Sequence, residues 1–258
     1  MKLIYSIISI PFISIAFILN LTPTLRAQTL ASDLIQYNAP PEPEVGDPGG
    51  RGRGGGSRDN CKAYANLTAI VPQTKVETRE KVWGMTIDSH PTFWFYVPVP
   101  MNVRTPMQFV LLDQDGNKVY SETFKPLLTP AGIIHITLPL SSLGLKEKQS
   151  YRWGLSIDCD PINKKETVSV RGMIYRTSLT TALQNQLEQI DKPRDRAMFY
   201  AKNGIWFDAL TTLARQSSPW EMPDATVVEA WSALLKQGNI QDVETGAIVP
   251  CCTQMERR

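Results

Sequence analysis

Few residues of this chain have the types and spacing that catalysis or metal binding requires. Its 258 residues include two histidines and four cysteines. His90 precedes a proline and His135 lies in the apolar run IIHIT, and the sequence contains no HExxH, GxSxG or CxxC pattern. We therefore predict no catalytic residue, no metal site and no cofactor. We interpret the two histidines as a loop residue and a residue of a half-exposed strand.

Two acidic pairs are the remaining candidates for acid–base or calcium chemistry. Asp113 and Asp115 lie in the segment DQDGN, but an EF-hand needs a longer loop with a terminal glutamate, and Lys118 follows instead. A hairpin turn explains this segment adequately. Asp158 and Asp160 flank a cysteine at the end of an apolar strand, and both are candidate binding residues.

Aromatic side chains are dense between positions 83 and 153, a pattern typical either of a sugar-binding surface or of a packed core. Trp94 and Tyr96, in the segment TFWFYV, are the candidate binding residues of this group. Alternation along the predicted strands places most of the other aromatic residues in the core. Because Thr92–Val97 is apolar on both faces, it should lie inside the sheet or beneath helices.

The segment Tyr151–Cys159 is the predicted central strand. Its sequence YRWGLSIDC alternates between two faces with period two, as in a strand with one buried face. Many short strands separated by prolines predict an antiparallel β-sandwich over residues 61–178, with jelly-roll and immunoglobulin-like topologies both open. The predicted strands are Tyr64–Val71, Val82–Ile87, Thr92–Val97, Met107–Leu112, Lys118–Phe124, Ile133–Leu138, Tyr151–Cys159 and Val168–Arg176.

The four cysteines allow three pairings. Cys61 begins the predicted ordered region, and Cys159 is the last inward residue of the central strand. Cys251 and Cys252 are adjacent, and adjacent cysteines rarely bond to each other because the eight-membered ring strains the peptide. We predict a Cys61–Cys159 disulfide. The rival role for the adjacent pair is metal binding, but no nearby histidine or third cysteine completes a zinc site.

The hydrophobic period changes from two to about 3.6 near residue 180, which predicts a helical appendage over residues 179–240. A shift of 34 residues aligns AKNG at 201–204 with LKQG at 235–238, and this shift is the tetratricopeptide period. The similarity covers about one and a half repeats, whereas a free solenoid needs about three, so we expect these helices to dock on the sandwich. The predicted helices are Thr181–Ile190, Asp195–Asn203, Trp206–Arg215 and a fourth that Asp224 caps and Gly238 ends.

The two ends of the chain have different predicted roles. Residues 1–27 read as a secretory signal peptide, with Lys2, an apolar run and a small residue before the expected cut. Residues 28–60, rich in Pro, Gly and Arg, are predicted to be a disordered leader, and residues 241–258 a flexible tail. The predicted location is therefore secreted or periplasmic, with membrane contact only through the uncleaved signal. A net charge of +2 gives no reason to expect nucleic acid.

Seven segments along the chain carry a family resemblance. They are RDNC at 58–61, LTAIVP at 67–72, PTFWFYVP at 91–98, FVLLDQDGNKVY at 109–120, GIIHITLP at 132–139, YRWGLSIDCDP at 151–161 and YAKNGIWFDALTTLA at 200–214. In this order they resemble the cyanobacterial domain-of-unknown-function 928 family over roughly residues 58–240. The resemblance implies a secreted or periplasmic protein without an assigned activity, and it supplies no catalytic residues.

These observations favour a non-enzymatic binding or protein-interaction module of the cell envelope, whose partner is an unknown envelope protein or a polysaccharide. The alternative is a carbohydrate-active hydrolase or a carbohydrate-binding protein. A hydrolase needs two carboxylates about 5–10 Å apart in a cleft. A binding module needs an exposed apolar or aromatic patch instead.

Overall fold

Short strands dominate the part of the chain that the computed structural model describes, which is residues 34–43, 49–54, 59–159, 166–216, 225–243 and 247–252. The strands there are β1 (Thr68–Ala69), β2 (Gln73–Val76), β3 (Arg79–Thr86), β4 (Thr92–Val97), β5 (Met101–Asn102), β6 (Met107–Leu112), β7 (Lys118–Phe124), β8 (Leu128–Thr129), β9 (Gly132–Thr137), β10 (Gln149–Asp158) and β11 (Thr167–Arg176). The α-helices there are α1 (Thr181–Glu188), α2 (Pro193–Lys202), α3 (Trp206–Ala214) and α4 (Ala225–Gln237). The predicted signal peptide and the predicted cap Asp224 lie outside these ranges.

Strand β10 lies inside a six-stranded sheet with the order β2-β3-β11-β10-β6-β7. It pairs antiparallel with β11 on one side and with β6 on the other. The side chains on its inner face, all buried, are Tyr151, Trp153, Leu155 and Ile157. The predicted antiparallel architecture is wrong at one pair, because β3 runs parallel to β11. A period of two identifies the buried face of a strand, but it does not give the direction of the neighbouring strand.

A second sheet of three strands, β1-β4-β9, packs face to face on the first. The ring of Phe93 lies 4.9 Å from that of Phe109, and the ring of Phe95 lies 5.9 Å from that of Trp153. These contacts join β4 of the smaller sheet to β6 and β10 of the larger one. The remaining sheet is the two-stranded β5-β8 pair. The chain is therefore mainly β with helices near its C-terminal end, as predicted.

Three strands were not predicted, and one prediction was too long. The strand expected over Tyr64–Val71 is reduced to β1, with a 3-10 helix over Asp59–Tyr64 before it. Strand β2 was missed because three of its four side chains are exposed, so it has no apolar face to detect. Strands β5 and β8 are only two residues long each.

The helices share one core with the sheets. The outer face of β4 is covered as predicted, because Trp94 donates a 3.0 Å hydrogen bond to Thr211 of α3 and its ring lies 6.3 Å from that of Trp231 in α4. Trp206 of α3 is fully buried and donates to the carbonyl of Ile70. None of the helices in the described ranges is long and apolar enough to span a bilayer.

The predicted disordered leader is corrected for its described parts, which pack on the fold. Asn38 donates its backbone N–H to the carbonyl of Ala201, and the Tyr37 ring lies 5.0 Å from that of Trp206. Residues 49–54 then run as an extended segment, pairing with β3 and β11 of the larger sheet and with β1 of the smaller one. We call residues 49–54 the glycine-arginine strand.

Glycine at every second position of the glycine-arginine strand permits this close approach. A Cβ on Gly50 would lie 2.6 Å from the carbonyl oxygen of Arg171 and 2.8 Å from Cβ of Val82. A Cβ on Gly52 would lie 2.2 Å from the side chain of Gln73. Real Cβ atoms do not approach other atoms so closely. A side chain at position 50 would therefore meet fixed backbone, whereas one at position 52 would have to displace the end of the Gln73 side chain.

The described part of the predicted flexible tail is also ordered. Val249 donates to the carbonyl of Ile133, and Ile133 donates to the carbonyl of Ala247, so residues 247–249 run beside β9. The tail also contains a bond that the sequence did not predict, because Cys251 and Cys252 form a disulfide with each other. Their Cα atoms are 3.7 Å apart, so the ring closes between neighbouring residues.

The Cys61–Cys159 disulfide is present as predicted, with Cα atoms 5.3 Å apart and 98 positions apart in sequence. It joins the 3-10 helix before β1 to the end of β10. Cross-linking so long a loop removes denatured-state entropy worth about 4–5 kcal/mol in the chain-entropy description. A loop closed between adjacent residues removes almost none.

Replacing Gly50 by alanine should lower the melting temperature by roughly 2–10 °C, because overpacking typically costs 1–3 kcal/mol. The obstacles at Gly50 include a backbone carbonyl, which cannot rotate away as a side chain can. Gly154→Ala is the matched control in β10, since a Cβ there would be no closer than 3.9 Å to any neighbour. Thermal melts of both variants test this, and equal melting temperatures would contradict the role given to the glycine-arginine strand.

Replacing Cys61 and Cys159 together by alanine should lower the melting temperature by several degrees or more, since native disulfides typically contribute 2–5 kcal/mol. Replacing Cys251 and Cys252 together should change it little. Calorimetry of the two double variants measures the difference. A larger drop in melting temperature for the Cys251/Cys252 variant than for the Cys61/Cys159 variant would show that loop length does not govern the contribution of these bonds.

Candidate anion-binding groove

A groove of about 750 Å³ lies on the outer face of the six-stranded sheet. The solvent-facing side chains of three adjacent strands form its floor, and the hairpin between β2 and β3 and the glycine-arginine strand form its walls. Its lining residues are Gly49, Gly50, Thr78, Arg79, Glu80, Val110, Leu112, Arg152, Trp153, Gly154, Arg171 and Gly172.

Strand register brings the floor residues together. Gly154 of β10 lies opposite Val110 of β6 on one side and opposite Arg171 of β11 on the other. Arg152 lies two residues away on the same face and opposite Leu112. Because Gly154 has no side chain, the middle of the floor is a depression with guanidinium groups beside it.

The groove is electropositive. Arg79, Arg152 and Arg171 are all exposed, and within the described ranges no carboxylate pairs with their guanidinium groups. Arg51 lies directly opposite Arg171 in the ladder, exchanging both backbone hydrogen bonds with it at 2.8 and 2.9 Å. Like charges in opposite positions of a ladder repel.

One carboxylate enters the groove. Glu80 is half-buried, and its Oε1 accepts a hydrogen bond of 3.1 Å from the backbone N–H of Gly52. This bond fixes the carboxylate against the glycine-arginine strand and leaves Oε2 for a hydroxyl donor. Trp153 also borders the groove, but its ring lies on the inner face of β10, where it packs on Phe95 and is 2% exposed.

The residues predicted as binding residues do not meet in this groove. Trp94 is buried beneath α3 and α4 and is only 4% exposed, while Tyr96 is half-buried on the same face of β4. Asp158 is on the outer face of β10, but four residues beyond Gly154, where its backbone N–H donates to Pro106. Asp160 lies outside the described residues.

The two histidines lie apart from the groove. His90 Nδ1 is 2.9 Å from the hydroxyl of Ser89, and the His135 ring lies 4.9 Å from that of Trp94. Burial, with a smaller effect of the Arg215 charge, lowers the pKa of His135. Within the described ranges, no three His, Cys, Asp or Glu side chains lie close enough to share a metal ion.

The DQDGN segment forms the turn that its sequence predicted. Asp113 accepts hydrogen bonds from the backbone N–H and the side-chain amide of Asn117, at 2.8 and 3.0 Å. The bond from the Asn117 side chain is the main cause that lowers the pKa of Asp113. Gly116 takes a φ of +85°, which the turn requires and glycine readily adopts. The carboxylate is therefore used within the turn.

A second cavity, of about 130 Å³, lies between α3 and the connection from β3 to β4. It contains Asp208, whose carboxyl Oδ2 accepts a 3.3 Å hydrogen bond from the N–H of Ile87, and the exposed Asp88. Burial is the largest cause that raises the pKa of Asp208 to about 7, and the Asp88 charge adds to it. The residue retains some exposure through the cavity.

Sequence reasoning missed both Asp208 and the arginine cluster. Asp208 had a signal, since it is the one charged residue in the apolar run GIWFDAL and so was the residue to question on a buried helix face. The alternation GRGRG at 50–54 was also a signal, because it has the period of a strand. The convergence of Arg79, Arg152 and Arg171 had none, since it depends on which strands are neighbours.

The fold and the groove together define a mainly β protein with C-terminal helices and an electropositive cleft on the larger sheet. Residues 53–248 match the model of the domain of unknown function DUF928, and the chain belongs to this family. This confirms the family that the seven segments predicted. No curated protein matches the sequence.

Asp208→Asn should stabilise the protein at high pH and leave its stability almost unchanged at low pH. The usual pKa of an aspartate is 3.8, whereas that of folded Asp208 is about 7, so the folded state binds more protons between these values. Wild-type stability therefore falls as pH rises through about 4–7, and the uncharged asparagine removes that loss. Thermal melts at pH 4.5 and pH 8 should show a higher melting temperature for the variant only at pH 8. An equal difference at both values would show that titration is not the cause.

Proposed function

We propose that this protein is a non-enzymatic binding module of the cell envelope whose electropositive groove binds an acidic polysaccharide. The observation that carries the proposal is the convergence of three exposed arginines, without ion-pair partners in the described ranges, on a cavity of about 750 Å³. This volume is typical of cavities that enclose small organic ligands, which span about 300–1,000 Å³.

Arginine suits the recognition of carboxylate or sulfate groups. Its planar guanidinium donates two parallel hydrogen bonds to such groups, and these charge-assisted bonds are about twice as strong as neutral ones. Three guanidinium groups around the floor would hold two or more acidic groups of one chain. The half-exposed aliphatic side chains of Val110 and Leu112 would contact the apolar faces of the sugar rings.

Glu80 favours a saccharide over a purely acidic peptide. Its carboxylate repels a continuous run of carboxylates, but it accepts hydrogen bonds from sugar hydroxyls. Each unit of a uronic-acid polymer carries one carboxylate and several hydroxyls. The groove offers arginines to the carboxylates, and Glu80 and Thr78 to the hydroxyls. Nucleic acid is disfavoured because the one aromatic lining residue, Trp153, is too buried to stack on a base.

A hydrolase is the weaker alternative. Asp88 and Asp208 share a cavity, and the raised pKa of Asp208 suits a general acid. However, that cavity has a volume of only about 130 Å³, well below the volume needed to enclose a sugar chain between two carboxylates. The binding role is therefore the better supported of the two.

We also propose a secreted or periplasmic location, a sandwich fold and a tetratricopeptide-like origin of the helices. The predicted signal peptide over residues 1–27 supports a secreted or periplasmic location. The two facing sheets support a sandwich of the jelly-roll or immunoglobulin-like kind. A tetratricopeptide-like origin of the helices is supported by Gly204, whose φ of +74° allows the turn between α2 and α3.

The test is binding of the mature protein to polygalacturonate, followed by fluorescence anisotropy at two salt concentrations. Arg152→Gln and Arg171→Gln should each weaken binding about tenfold or more, since bonds to charged groups contribute about 1.5–3 kcal/mol. Gly154→Leu should block the floor depression without loss of charge. Arg104→Gln removes the same charge from an exposed position outside the groove and should leave binding unchanged.

Three outcomes would overturn the proposal. The first is no binding to polygalacturonate, and the second is an equal loss of binding in Arg104→Gln, which would mean attraction by overall charge. The third is tighter binding of polyglutamate than of polygalacturonate, which would identify an acidic protein as the partner. Neutral dextran should not bind in any case.

A further inference from the structure

The Cys251–Cys252 disulfide forms part of the wall of a third cavity, separate from the arginine groove. This cavity has a volume of about 440 Å³ and lies beside the connection from β7 to β8. Leu127 and Leu128, which are 73% and 80% exposed, lie on its rim. Both cysteines line this cavity, so a small reagent that enters it lies next to the disulfide-bonded residues.

We propose that Cys251–Cys252 is a reversible thiol–disulfide exchange site that an external dithiol reduces, while Cys61–Cys159 stays closed. The thiolate of the dithiol attacks Sγ of Cys252, forms a mixed disulfide and expels Cys251 as a thiolate. The second thiol of the reagent then attacks the mixed disulfide and releases Cys252. The reagent is oxidised to its disulfide, two electrons pass to the protein, and both cysteines end as thiols.

Accessibility separates the two disulfides. Cys252 is half-buried and Cys251 is 8% exposed, and both line an open cavity. Cys61 is 1% exposed, and its partner Cys159 is half-buried but lines none of the three cavities. Exchange requires a nucleophile in line with a sulfur–sulfur bond, so a buried sulfur reacts only after local opening. Local opening at Cys61 would expose the packed 3-10 helix before β1, and local opening at residue 252 would not.

Two charged residues that line the cavity act in opposite directions on the leaving thiolate. Lys125 lines the same cavity, and a nearby cation stabilises a thiolate and lowers its pKa. Glu122 also lines the cavity and opposes this effect in part. Lys125 is the last residue before Pro126, so its backbone position is restricted by the proline that follows.

Reduction also releases a constraint on the backbone. The ring between adjacent residues holds Cys252 at a φ of +64°, a region that residues other than glycine rarely occupy. In the reduced form, Cys252 can relax to a negative φ. This change moves the part of the cavity wall that follows residues 247–249, which run beside β9. The site therefore couples the redox state of two thiols to the shape of this cavity.

The experiment treats the full mature protein with dithiothreitol under native conditions, quenches samples with iodoacetamide and maps the alkylated peptides. Cys251 and Cys252 should be alkylated together at least about tenfold faster than Cys61 and Cys159. Lys125→Gln should slow this first phase, and Lys118→Gln, which removes a charge at the other end of β7, should not. The variant with Cys251→Ser and Cys252→Ser should lose the fast phase and retain the slow one.

Several results would overturn the proposal. They are alkylation of Cys251 and Cys252 in the oxidised protein before any reductant is added, reduction of Cys61–Cys159 first, and release of all four thiols in one phase. When the reduced protein is treated with a disulfide reagent before iodoacetamide, Cys251 and Cys252 should again resist alkylation. Continued alkylation would mean that the site is not reversible. None of these results depends on polysaccharide binding.

Discussion

The passage of the glycine-arginine strand between the two sheets is the constraint on which the rest of the structure depends. Where β3 and β11 stop pairing, backbone groups on both strands would lose their ladder partners. The segment satisfies them, since Gly50 donates to Glu80 and Arg51 exchanges two hydrogen bonds with Arg171. Gly52 and Gly54 then bond to Ala69 and Leu67 on the other sheet. Buried backbone groups left without partners would each cost a few kcal/mol. The segment therefore stabilises the region where β3 and β11 stop pairing.

The same constraint produces the arginine cluster. In an extended segment, alternate residues point in opposite directions, so glycines that must face a crowded interior place arginines towards solvent. Arg51 is thereby placed beside Arg171, next to the groove that Arg79 and Arg152 also line. A local packing requirement and an electropositive surface thus arise from one repeated dipeptide.

The helices illustrate a different dependence. Their apolar faces are too few to form a solenoid, and α3 solves this by burying six of its nine residues against both sheets. Trp206 fills the space between the leader, β1 and α4, contacting Tyr37 and bonding to Ile70. Asp208 is carried into the interior by the same helix, and the raised pKa of its carboxyl follows from that position. Packing of the helix is therefore the cause of the raised pKa, and the sequence indicates only that Asp208 lies in an apolar run.

The sequence by itself determined the mainly β class, the buried face of β10, the cover over β4, the Cys61–Cys159 bond and the family. Each of these rests on local periodicity, or on few cysteines and a series of segments that can be recognised in order. Only the tertiary structure decided the parallel β3–β11 pair, the ordered leader, the Cys251–Cys252 bond and the residues of the groove. Arg152 and Arg171 are 19 positions apart in sequence, and Arg79 is more than 70 positions from either. They meet because strand neighbours and register are set by how the whole chain packs, and no local pattern contains that information.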